Sequence, residues 1–383
     1  MTINKRHLKK ILAIRLGSMG ELLMTQPALR SIKESVPAAE VTLLTSSSAS
    51  TVTHMLREID RTIIADVPWV RNDTQTDSSE LERLITKIRK EDFDTAFIFS
   101  VYSQSSLPAA FLLYAAHIPV RIAFSRENPY KLLTHWKREE EPKIVIRHEV
   151  ERQLSLTKFM GMETSDISLR LKIDSKDQER AISLLLKKGV DPDKRMAVVH
   201  PGASDLVRRY NPGAYSHIIT HLTSVHGYQV VVTGSREESR LAEFITKNSL
   251  SREAVNLTGA TTTGMLAAVI ERSSLFIGNN SGPAHLSAGV GTPAVILYAL
   301  TNTQHQPWNI PSKILHFSAP CTDCRRGYCL LPAGHSMKSH LNLPLILQNI
   351  DDLIKETHGR EKLGGWETNI FPRIFLKIHS YLL

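Results

Sequence analysis

One stretch in the last third of the chain limits the possible folds more than any other. Residues 278–298 read GNNSGPAHLSAGVGTPAVILY and follow the apolar run 274–277. Glycine and asparagine tolerate turn conformations, proline is favoured in the first turn of a helix, and an apolar run of this length is typical of a strand covered on both faces. The stretch therefore predicts a strand, a turn, a helix that opens at Pro283, and a second buried strand.

The start of this predicted helix has the composition of an anion site. Backbone N–H groups in the first turn of a helix have no partner within the helix, and here they are adjacent to Ser281 and His285. This arrangement suits a diphosphate. An ordinary βαβ crossover whose glycines only form tight turns explains the local pattern equally well.

The amino-terminal part repeats the same alternation. The apolar run 10–16 precedes a glycine-containing turn at 17–21 (GSMGE), and residues 22–36 have helical periodicity. Further strands are predicted at 41–44, 63–67, 95–99 and 120–124, and further helices at 79–90, 108–117 and 148–160. These alternations predict an α/β fold with a parallel, doubly wound sheet. We interpret residues 126–138 as mobile or facing an anionic partner, and residues 139–142 (EEEP) as a surface turn.

Glu21 is the residue of interest in this first half. A carboxylate in the first turn of a helix is often a favourable partner of the helix dipole or part of a cap. Glu21 also follows the carboxyl end of a strand, where open α/β sheets present groups to a ligand. The residues alone leave both interpretations open.

A second alternating series begins with a strand at 196–200. Two adjacent arginines, Arg208 and Arg209, precede a helix predicted at 214–226. They are either a bidentate clamp for a diphosphate or solvated surface charges.

The rest of this series places polar residues after successive strands. Strands are predicted at 228–233 and 254–257, with helices at 236–247, 265–271 and 341–355. Because Ser204, Gly234, Thr261 and the turn 279–285 each follow a strand, we expect them to meet at one edge of a sheet.

Length and charge narrow the class of protein. A chain of 383 residues is longer than a single hydrophobic core usually accommodates, so we expect two domains. We place the connection between them within residues 161–195. The balance of 47 Lys+Arg against 38 Asp+Glu gives a net charge of +9, which favours anionic partners such as a phosphorylated substrate or a membrane surface. A basic stripe interleaved with aromatic residues is missing from the sequence, so we expect no nucleic acid partner.

Two carboxyl-terminal features have alternative interpretations. Cys321, Cys324 and Cys329, followed by His335, have some likeness to a metal-ligand pattern, but zinc sites usually show two paired knuckles, which favours a loop with free thiols. So few cysteines point to a reducing compartment. The apolar and basic tail 370–383 either lies on a membrane surface or packs back on the first domain.

Three separated motifs together resemble glycosyltransferase family 9, the heptosyltransferase-like enzymes of lipopolysaccharide core assembly. The motifs are 14–21 (IRLGSMGE) with 26–29 (QPAL), 200–203 (HPGA) with 208–210 (RRY) and Pro212, and 278–286 (GNNSGPAHL) with 291–293 (GTP). The resemblance covers most of the chain. It implies the GT-B fold, in which two doubly wound Rossmann-like domains face each other across a cleft. The implied parts are an acceptor-side domain at 1–175, a nucleotide-sugar domain at 190–358 and a tail at 359–383.

The resemblance also implies roles for individual residues. Glu21 stands where heptosyltransferases carry an aspartate proposed as the catalytic base, and its carboxylate reaches one methylene further. A displacement of this size can cost about 100-fold in rate. Arg208 replaces the usual lysine, and Asn280 replaces a frequent aspartate. The implied acceptor-side residues are Ser18, Met19 and Gly20, and the implied donor-binding residues are Ser204, Arg208, Arg209, Gly234, Thr261, Asn280, Ser281, Gly282, Pro283 and His285.

The activity that the resemblance implies is an inverting, base-assisted transfer of a sugar. The expected donor is ADP-heptose, and the expected acceptor is a lipopolysaccharide core or another lipid-linked glycan. We expect no cofactor and no metal, because Arg208 and backbone donors can stabilise the departing diphosphate. We expect a cytoplasmic protein, peripheral at the inner face of the inner membrane. Two alternatives remain: a non-catalytic nucleotide-sugar-binding relative, and a GT-B-like nucleotide-sugar epimerase.

Overall fold

The computed structural model describes residues 5, 8–70, 77–251, 254–298, 304–316 and 342–357. The chain divides into two compact units. The first comprises Met1–Lys172 with Thr303–Trp308, and the second comprises Ile173–Asn302 with Asn309–Leu383. Each unit contains one six-stranded sheet in which all the neighbouring strands are parallel.

The first unit alternates strands and helices along the chain. Its strands are β1 (Lys10–Arg15), β2 (Glu40–Thr45), β3 (Arg61–Ile64), β4 (Thr95–Ile98), β5 (Val120–Ser125) and β6 (His135–Arg138). Its helices are α1 (Met19–Ser35), α2 (Ser47–Ser50), α3 (Ser78–Glu91), α4 (Leu107–Ala115) and α5 (Glu149–Phe159). The sheet order is β3-β2-β1-β4-β5-β6, so the strand order reverses between β1 and β4. Open α/β sheets bind ligands beyond the carboxyl ends of the strands at such a point.

The second unit repeats this organisation. Its strands are β7 (Met196–His200), β8 (Gln229–Val232), β9 (Ala254–Asn256), β10 (Leu275–Asn279), β11 (Ala294–Tyr298) and β12 (Ser312–His316). Its helices are α6 (Ser175–Lys187), α7 (Pro212–Ser224), α8 (Ser239–Asn248), α9 (Thr263–Glu271), α10 (Gly282–Val290) and α11 (Leu343–Thr357). The order β12-β11-β10-β7-β8-β9 places the reversal between β7 and β10.

The central strands are buried because helices cover both faces of each sheet. All five residues of β7, β10 and β11 are buried, and β1 is buried at every position after Lys10. Continuous apolar runs are therefore required at these strands, since neither face is in contact with water. The described residues include no helix with the length and apolarity needed to cross a bilayer.

Two strands were not predicted from the sequence, β6 and β12. Strand β6 (HWKR) alternates between half-buried and exposed residues and lies at the edge of its sheet. It lacks the apolar run that marks a central strand, so its residues read as an irregular segment. The interpretation of residues 126–138 as mobile is therefore wrong for the part that forms β6, and an anionic partner for this segment stays a prediction.

The prediction of a surface turn at 139–142 is wrong. The side chains of Glu139 and Glu141 are only 4% and 0% exposed. Glu139 pairs with Arg152 of α5, and Glu141 accepts two hydrogen bonds from Arg147, at 2.6 and 2.9 Å. A run of glutamates normally indicates a solvated turn, but Arg147 and Arg152 stabilise these carboxylates inside the unit.

Candidate functional site

The loop between β1 and α1 determines where the carboxylate of Glu21 lies. Ser18 caps the helix, and its Oγ accepts the N–H of Glu21 at 3.5 Å. Met19 and Gly20 form the first two helical positions, so Glu21 falls in the first turn. Its side chain turns back over Gly17, where an added Cβ would lie 1.6 Å from Oε2 of Glu21. Only glycine at position 17 leaves room for the carboxylate in this place.

Glu21 faces a cavity of about 190 Å³ within the first unit. Its side chain is 20% exposed. The polar groups that line the cavity belong to Ser18, Glu21, Ser46, Ser48, Asp66 and Gln104. Hydroxyl, amide and carboxylate groups in this combination can form hydrogen bonds to a polyhydroxylated ligand such as a sugar.

Arg15, at the end of β1, contacts Glu21 from the interior of the unit. It is 1% exposed, and its Nη2 lies 3.6 Å from Oε2 of Glu21 and 3.0 Å from Oε1 of Glu149. Its Nη1 donates to the carbonyl oxygen of Phe99 at 2.9 Å. A guanidinium is costly to bury unless it is paired and hydrogen-bonded, so the fully buried Glu149 is what allows Arg15 to lie here.

Glu149 is the first residue of α5 and is ionised despite its burial. Burial raises the pKa of its carboxyl, but the charges of Arg152 and Arg15 outweigh that effect and hold the pKa below its usual range. Gln153 donates to Oε1 of Glu149 at 2.6 Å. Arg15 therefore has a permanent buried counterion, and its charge is shared between Glu149 and Glu21.

Sequence reasoning missed Arg15 and Glu149 as parts of this site. A signal for Arg15 was available, because a charged residue within an apolar strand requires a buried partner. No local pattern marks Glu149 as that partner, since 134 positions separate the two residues.

The predicted donor-binding residues lie at the carboxyl edge of the sheet in the second unit. Strand β7 pairs with both β8 and β10, and β9 pairs with β8, all in parallel. The loops that follow these four strands therefore share one edge, which confirms the expected convergence. The loop after β7 carries Ser204, Arg208 and Arg209, the loop after β8 carries Gly234, the loop after β9 carries Thr261, and β10 leads into Asn280, Ser281, Gly282, Pro283 and His285.

Asn279, the last residue of β10, ties three parts of this edge together. It is fully buried, and its Nδ2 donates to the carbonyl oxygen of Pro201 at 2.7 Å. Its Oδ1 accepts the N–H of Tyr210 at 3.0 Å and the hydroxyl of Tyr215 at 2.9 Å. The family resemblance implied a role for the next residue, Asn280, and two adjacent asparagines give no indication of which one points inward.

Glu238 provides a second tie between the loops. Its carboxylate accepts the N–H of Ser235 at 2.9 Å, and its Oε1 accepts from Nη2 of Arg209 at 3.1 Å. Arg209 also donates from Nε to the carbonyl oxygen of Ala203 at 2.9 Å, so this arginine braces the loop after β7. The S-x-x-E spacing of Ser235 and Glu238 is a capping-box pattern that sequence reasoning could have used.

Helix α10 begins at Gly282, one residue before the predicted start, with Ser281 as its N-cap and Pro283 in its first turn. It ends at Val290, and its C-cap is Gly291, whose φ of 76° lies in the left-handed region that favours glycine. His285 is buried, at 7% exposed. The start of α10 therefore presents its first-turn N–H groups and the side chain of Ser281 at the shared edge of the sheet.

Two Asp-x-Asp sequences occur in the chain, at 92–94 and 191–193. The first directly precedes β4, and the second lies just before β7. Both are thus at the amino ends of strands, at the edge of each sheet opposite to the loops described above. Neither sequence lies where it could hold a metal ion against a phosphate bound at the carboxyl edge.

The chain is similar to a set of known proteins. The model of the family described as "Glycosyltransferase family 9 (heptosyltransferase)" matches residues 81–334. Lipooligosaccharide heptosyltransferase 2 of Campylobacter jejuni is 24% identical over 348 residues, which is 89% of this chain and 97% of that relative.

Two solved structures show the fold. The crystal structure of a family 9 glycosyl transferase from Veillonella parvula has a TM-score of 0.75 at 17% identity, covering 91% of this chain and 97% of that one. The structure of the E. coli ADP-heptose lps heptosyltransferase II has a TM-score of 0.68 at 19% identity, covering 91% of this chain and 99% of that one.

Proposed function

Because the chain belongs to glycosyltransferase family 9 and has the GT-B fold of its heptosyltransferases, we propose that it transfers a heptose from ADP-heptose to a lipopolysaccharide core or another lipid-linked glycan. The Campylobacter jejuni relative is a heptosyltransferase, which supports the sugar, and the E. coli ADP-heptose heptosyltransferase supports the nucleotide. The observation that carries the proposal is the carboxylate of Glu21, which faces a polar cavity at the carboxyl end of β1.

In this mechanism Glu21 is the general base. It takes the proton of an acceptor hydroxyl as that oxygen attacks the anomeric carbon of the donor, and the configuration at that carbon is inverted. Glutamate is one methylene longer than the aspartate of related enzymes. The side chain of Glu21 bends back over Gly17 toward β1, and this conformation compensates for the additional length.

The second unit binds the donor and stabilises the leaving diphosphate. The N–H groups and helix dipole at the start of α10 favour an anion, and Arg208 supplies the positive charge. Arg209 is paired with Glu238, so its part is to hold the loop in shape. Ser204 and Ser281 lie beside the phosphates, Asn280 and His285 beside the phosphates and ribose, and Thr261 beside the base. A metal ion is not required in this mechanism, since Arg208 and the N–H groups at the start of α10 stabilise the departing diphosphate.

The proposal places the enzyme at the cytoplasmic face of the membrane that holds its acceptor. A lipid-linked acceptor requires that the enzyme approach a membrane surface. The net charge of +9 favours an anionic surface of that kind.

The test is transfer by the Glu21→Gln variant with ADP-heptose and a lipopolysaccharide acceptor. Loss of a general base reduces the rate by about 10²–10⁴-fold, so kcat should fall by at least about 100-fold while donor binding is retained. The matched control is Glu34→Gln, an exposed glutamate of the same helix outside the cavity, which should retain most of the activity. A Glu21→Gln variant that transfers heptose within about threefold of the wild type contradicts this assignment.

A thermal-shift panel of nucleotide sugars identifies the donor independently. A ligand at 100 times its dissociation constant stabilises the folded state by about 2.7 kcal/mol, which is readily measured. Wild-type protein that binds ADP-heptose but never transfers the sugar would instead be a nucleotide-sugar-binding relative. Conversion of a free nucleotide sugar without any acceptor would indicate an epimerase.

A further inference from the structure

The second unit contains a cluster of two histidines and an aspartate that the transfer reaction does not use. His221 lies in the last turn of α7, His226 follows that helix, and Asp351 lies on α11. Helix α7 starts after the carboxyl end of β7 and runs back to the amino end of β8. The cluster therefore lies at the amino edge of the sheet, opposite to the proposed donor loops.

Both imidazoles face the same carboxylate oxygen. Nε2 of His221 lies 2.7 Å from Oδ1 of Asp351, and Nε2 of His226 lies 2.6 Å from it. The three ligand atoms are all within 4.8 Å of one another. The side chains are 16%, 18% and 27% exposed, so the cluster is half-buried but open to ions from solvent.

The charge of the cluster favours a cation. The carboxyl of Asp351 is partly exposed, and an aspartate carboxyl is ionised at neutral pH. Among the described residues, no lysine or arginine forms a salt bridge with Asp351. With both imidazoles neutral the cluster has a net charge of −1. The carbonyl end of α7 adds to the negative potential.

We propose that His221, His226 and Asp351 bind a divalent transition metal ion of the zinc class, with water as the remaining ligand. Two imidazole nitrogens and one carboxylate oxygen are a donor set that Zn²⁺ takes in proteins, whereas Mg²⁺ and Ca²⁺ prefer oxygen ligands.

The geometry needs only a small adjustment to accept the ion. Bonds of about 2.0–2.1 Å in a tetrahedral site separate neighbouring ligand atoms by about 3.3 Å. The two Nε2 atoms must therefore each move away from Oδ1 by about 0.6–0.7 Å, which side-chain rotation can provide. The ring centroids of His221 and His226 are 5.2 Å apart at an interplanar angle of 73°, so the two rings are not stacked on each other.

The ion would connect two helices of the second unit. Helix α11 buries Ile346, Ile350, Leu353 and Ile354 in the core, and Asp351 lies on its half-buried face. A metal site formed by Asp351 and the end of α7 exists only in the folded chain. Binding of the ion therefore stabilises the unit without taking part in the transfer of the sugar.

The test is Co²⁺ and Zn²⁺ binding by the full-length protein after removal of metals with a chelator. Cys321, Cys324 and Cys329 are potential metal ligands as well, so the experiment uses the variant with serine at all three positions. We expect one Co²⁺ per chain, with weak visible bands and no thiolate-to-cobalt charge transfer. Zn²⁺ at 100 times its dissociation constant should raise Tm by about 5 °C or more.

The variants assign the binding to the cluster. Asp351→Asn and the double variant His221→Gln with His226→Gln should each lose the Co²⁺ spectrum and the Zn²⁺-dependent rise of Tm. The matched controls are Asp352→Asn, the next residue on α11, and His217→Gln, an exposed histidine of α7; both should bind as the parent does. If Asp351→Asn does not fold, His226→Gln, outside any helix, replaces it. No Co²⁺ uptake by the cysteine-free parent, or unchanged uptake by the cluster variants, overturns the proposal.

Discussion

Glu21 lies at the end of a row of buried charged groups, and it contacts only the first of them, Arg15. Its carboxylate lies 3.6 Å from Arg15, Arg15 lies 3.0 Å from Glu149, and Glu149 lies 3.6 Å from Arg152. Glu139 then pairs with Arg152. Each arginine in this row lies between two carboxylates. Loss of one member removes one buried counterion from its neighbours, and breaking a buried ion pair costs about 3–5 kcal/mol.

Glu149→Gln tests this row of charges at the residue scale. We expect the free energy of unfolding to fall by about 3 kcal/mol. We also expect a lower kcat with an unchanged KM for the donor, because Arg15 then has Glu21 as its main counterion and draws its carboxylate away from the acceptor. Denaturant unfolding and steady-state kinetics measure the two effects. Glu163→Gln, an exposed glutamate beyond the same helix, should change neither quantity.

The pH dependence of this variant follows from the lowered pKa of Glu149. A carboxylate whose pKa is lower in the folded state than in the unfolded state stabilises the protein above the unfolded pKa, about 4.3 for glutamate. That contribution is lost as the pH falls below this value. The difference in stability between the wild type and Glu149→Gln should therefore shrink under acid conditions. A difference that grows as the pH falls would contradict a buried, ionised Glu149.

His200, at the end of β7, gives a second prediction at the residue scale. Burial disfavours the charged imidazolium and lowers the pKa of His200 to about 4. The unfolded chain therefore binds more protons than the folded chain between pH 4 and the usual histidine pKa of about 6.5. We expect the free energy of unfolding to fall by about 3 kcal/mol across this window as the pH decreases.

The measurement is denaturant unfolding of the wild type and of His200→Gln at about pH 7 and about pH 4.5. Glutamine can keep a hydrogen bond to Thr233, which lies 3.0 Å from Nδ1 of His200. It does not titrate, so the variant should lose less stability at the lower pH. His217→Gln, which replaces an exposed histidine, should follow the wild type. Equal pH dependence in His200→Gln and the wild type would show that His200 does not remain neutral.

At the scale of elements, the donor edge depends on ties between loops that belong to different strands. Asn279 connects the end of β10 to the loop after β7 and to α7. Glu238 connects the loop after β8 to Arg209, and an added Cβ on Gly202 would lie 2.1 Å from its carboxylate. These ties hold the loops in shape before any donor binds, which reduces the entropy that binding must overcome.

Asn279→Ala tests these ties. The variant leaves the N–H of Tyr210 and the hydroxyl of Tyr215 without their acceptor, at about 1–3 kcal/mol for each buried group. We expect a loss of stability of this size together with weaker binding of ADP, measured by chemical unfolding and by calorimetric titration. Asn280→Ala, at the neighbouring half-buried position, should weaken ADP binding with little loss of stability. The reverse pattern would mean that Asn280, not Asn279, organises the edge.

At the scale of the whole molecule, each unit has its own sheet and its own hydrophobic core. The first core includes Leu12, Ile14 and Ile98, and the second includes Ile218, Ile277 and Ile350. We expect differential scanning calorimetry to resolve two transitions. ADP should raise only the transition of the second unit, and Glu149→Gln should lower only that of the first. A single transition that both changes move equally would contradict this division.

The sequence by itself determined the fold class and the parts of the site that are local in the chain. Apolar runs, glycine turns and helical periodicity are set by neighbouring residues, so the alternation of strands and helices followed from them. The position of Glu21 after β1 and the motif that opens α10 are equally local. The three family motifs, taken in order along the chain, then predicted two doubly wound domains in succession.

Only the tertiary structure decided which polar groups are buried together. Arg15 meets Glu149 across 134 positions, and Glu238 meets Arg209 across 29. Local sequence marks Glu139 and Glu141 as solvated, yet they pair with Arg152 and Arg147 inside the first unit. The physical reason is that the stability of a buried charge depends on a partner brought near by folding, and no property of the charged residue or of its neighbours in sequence specifies that partner.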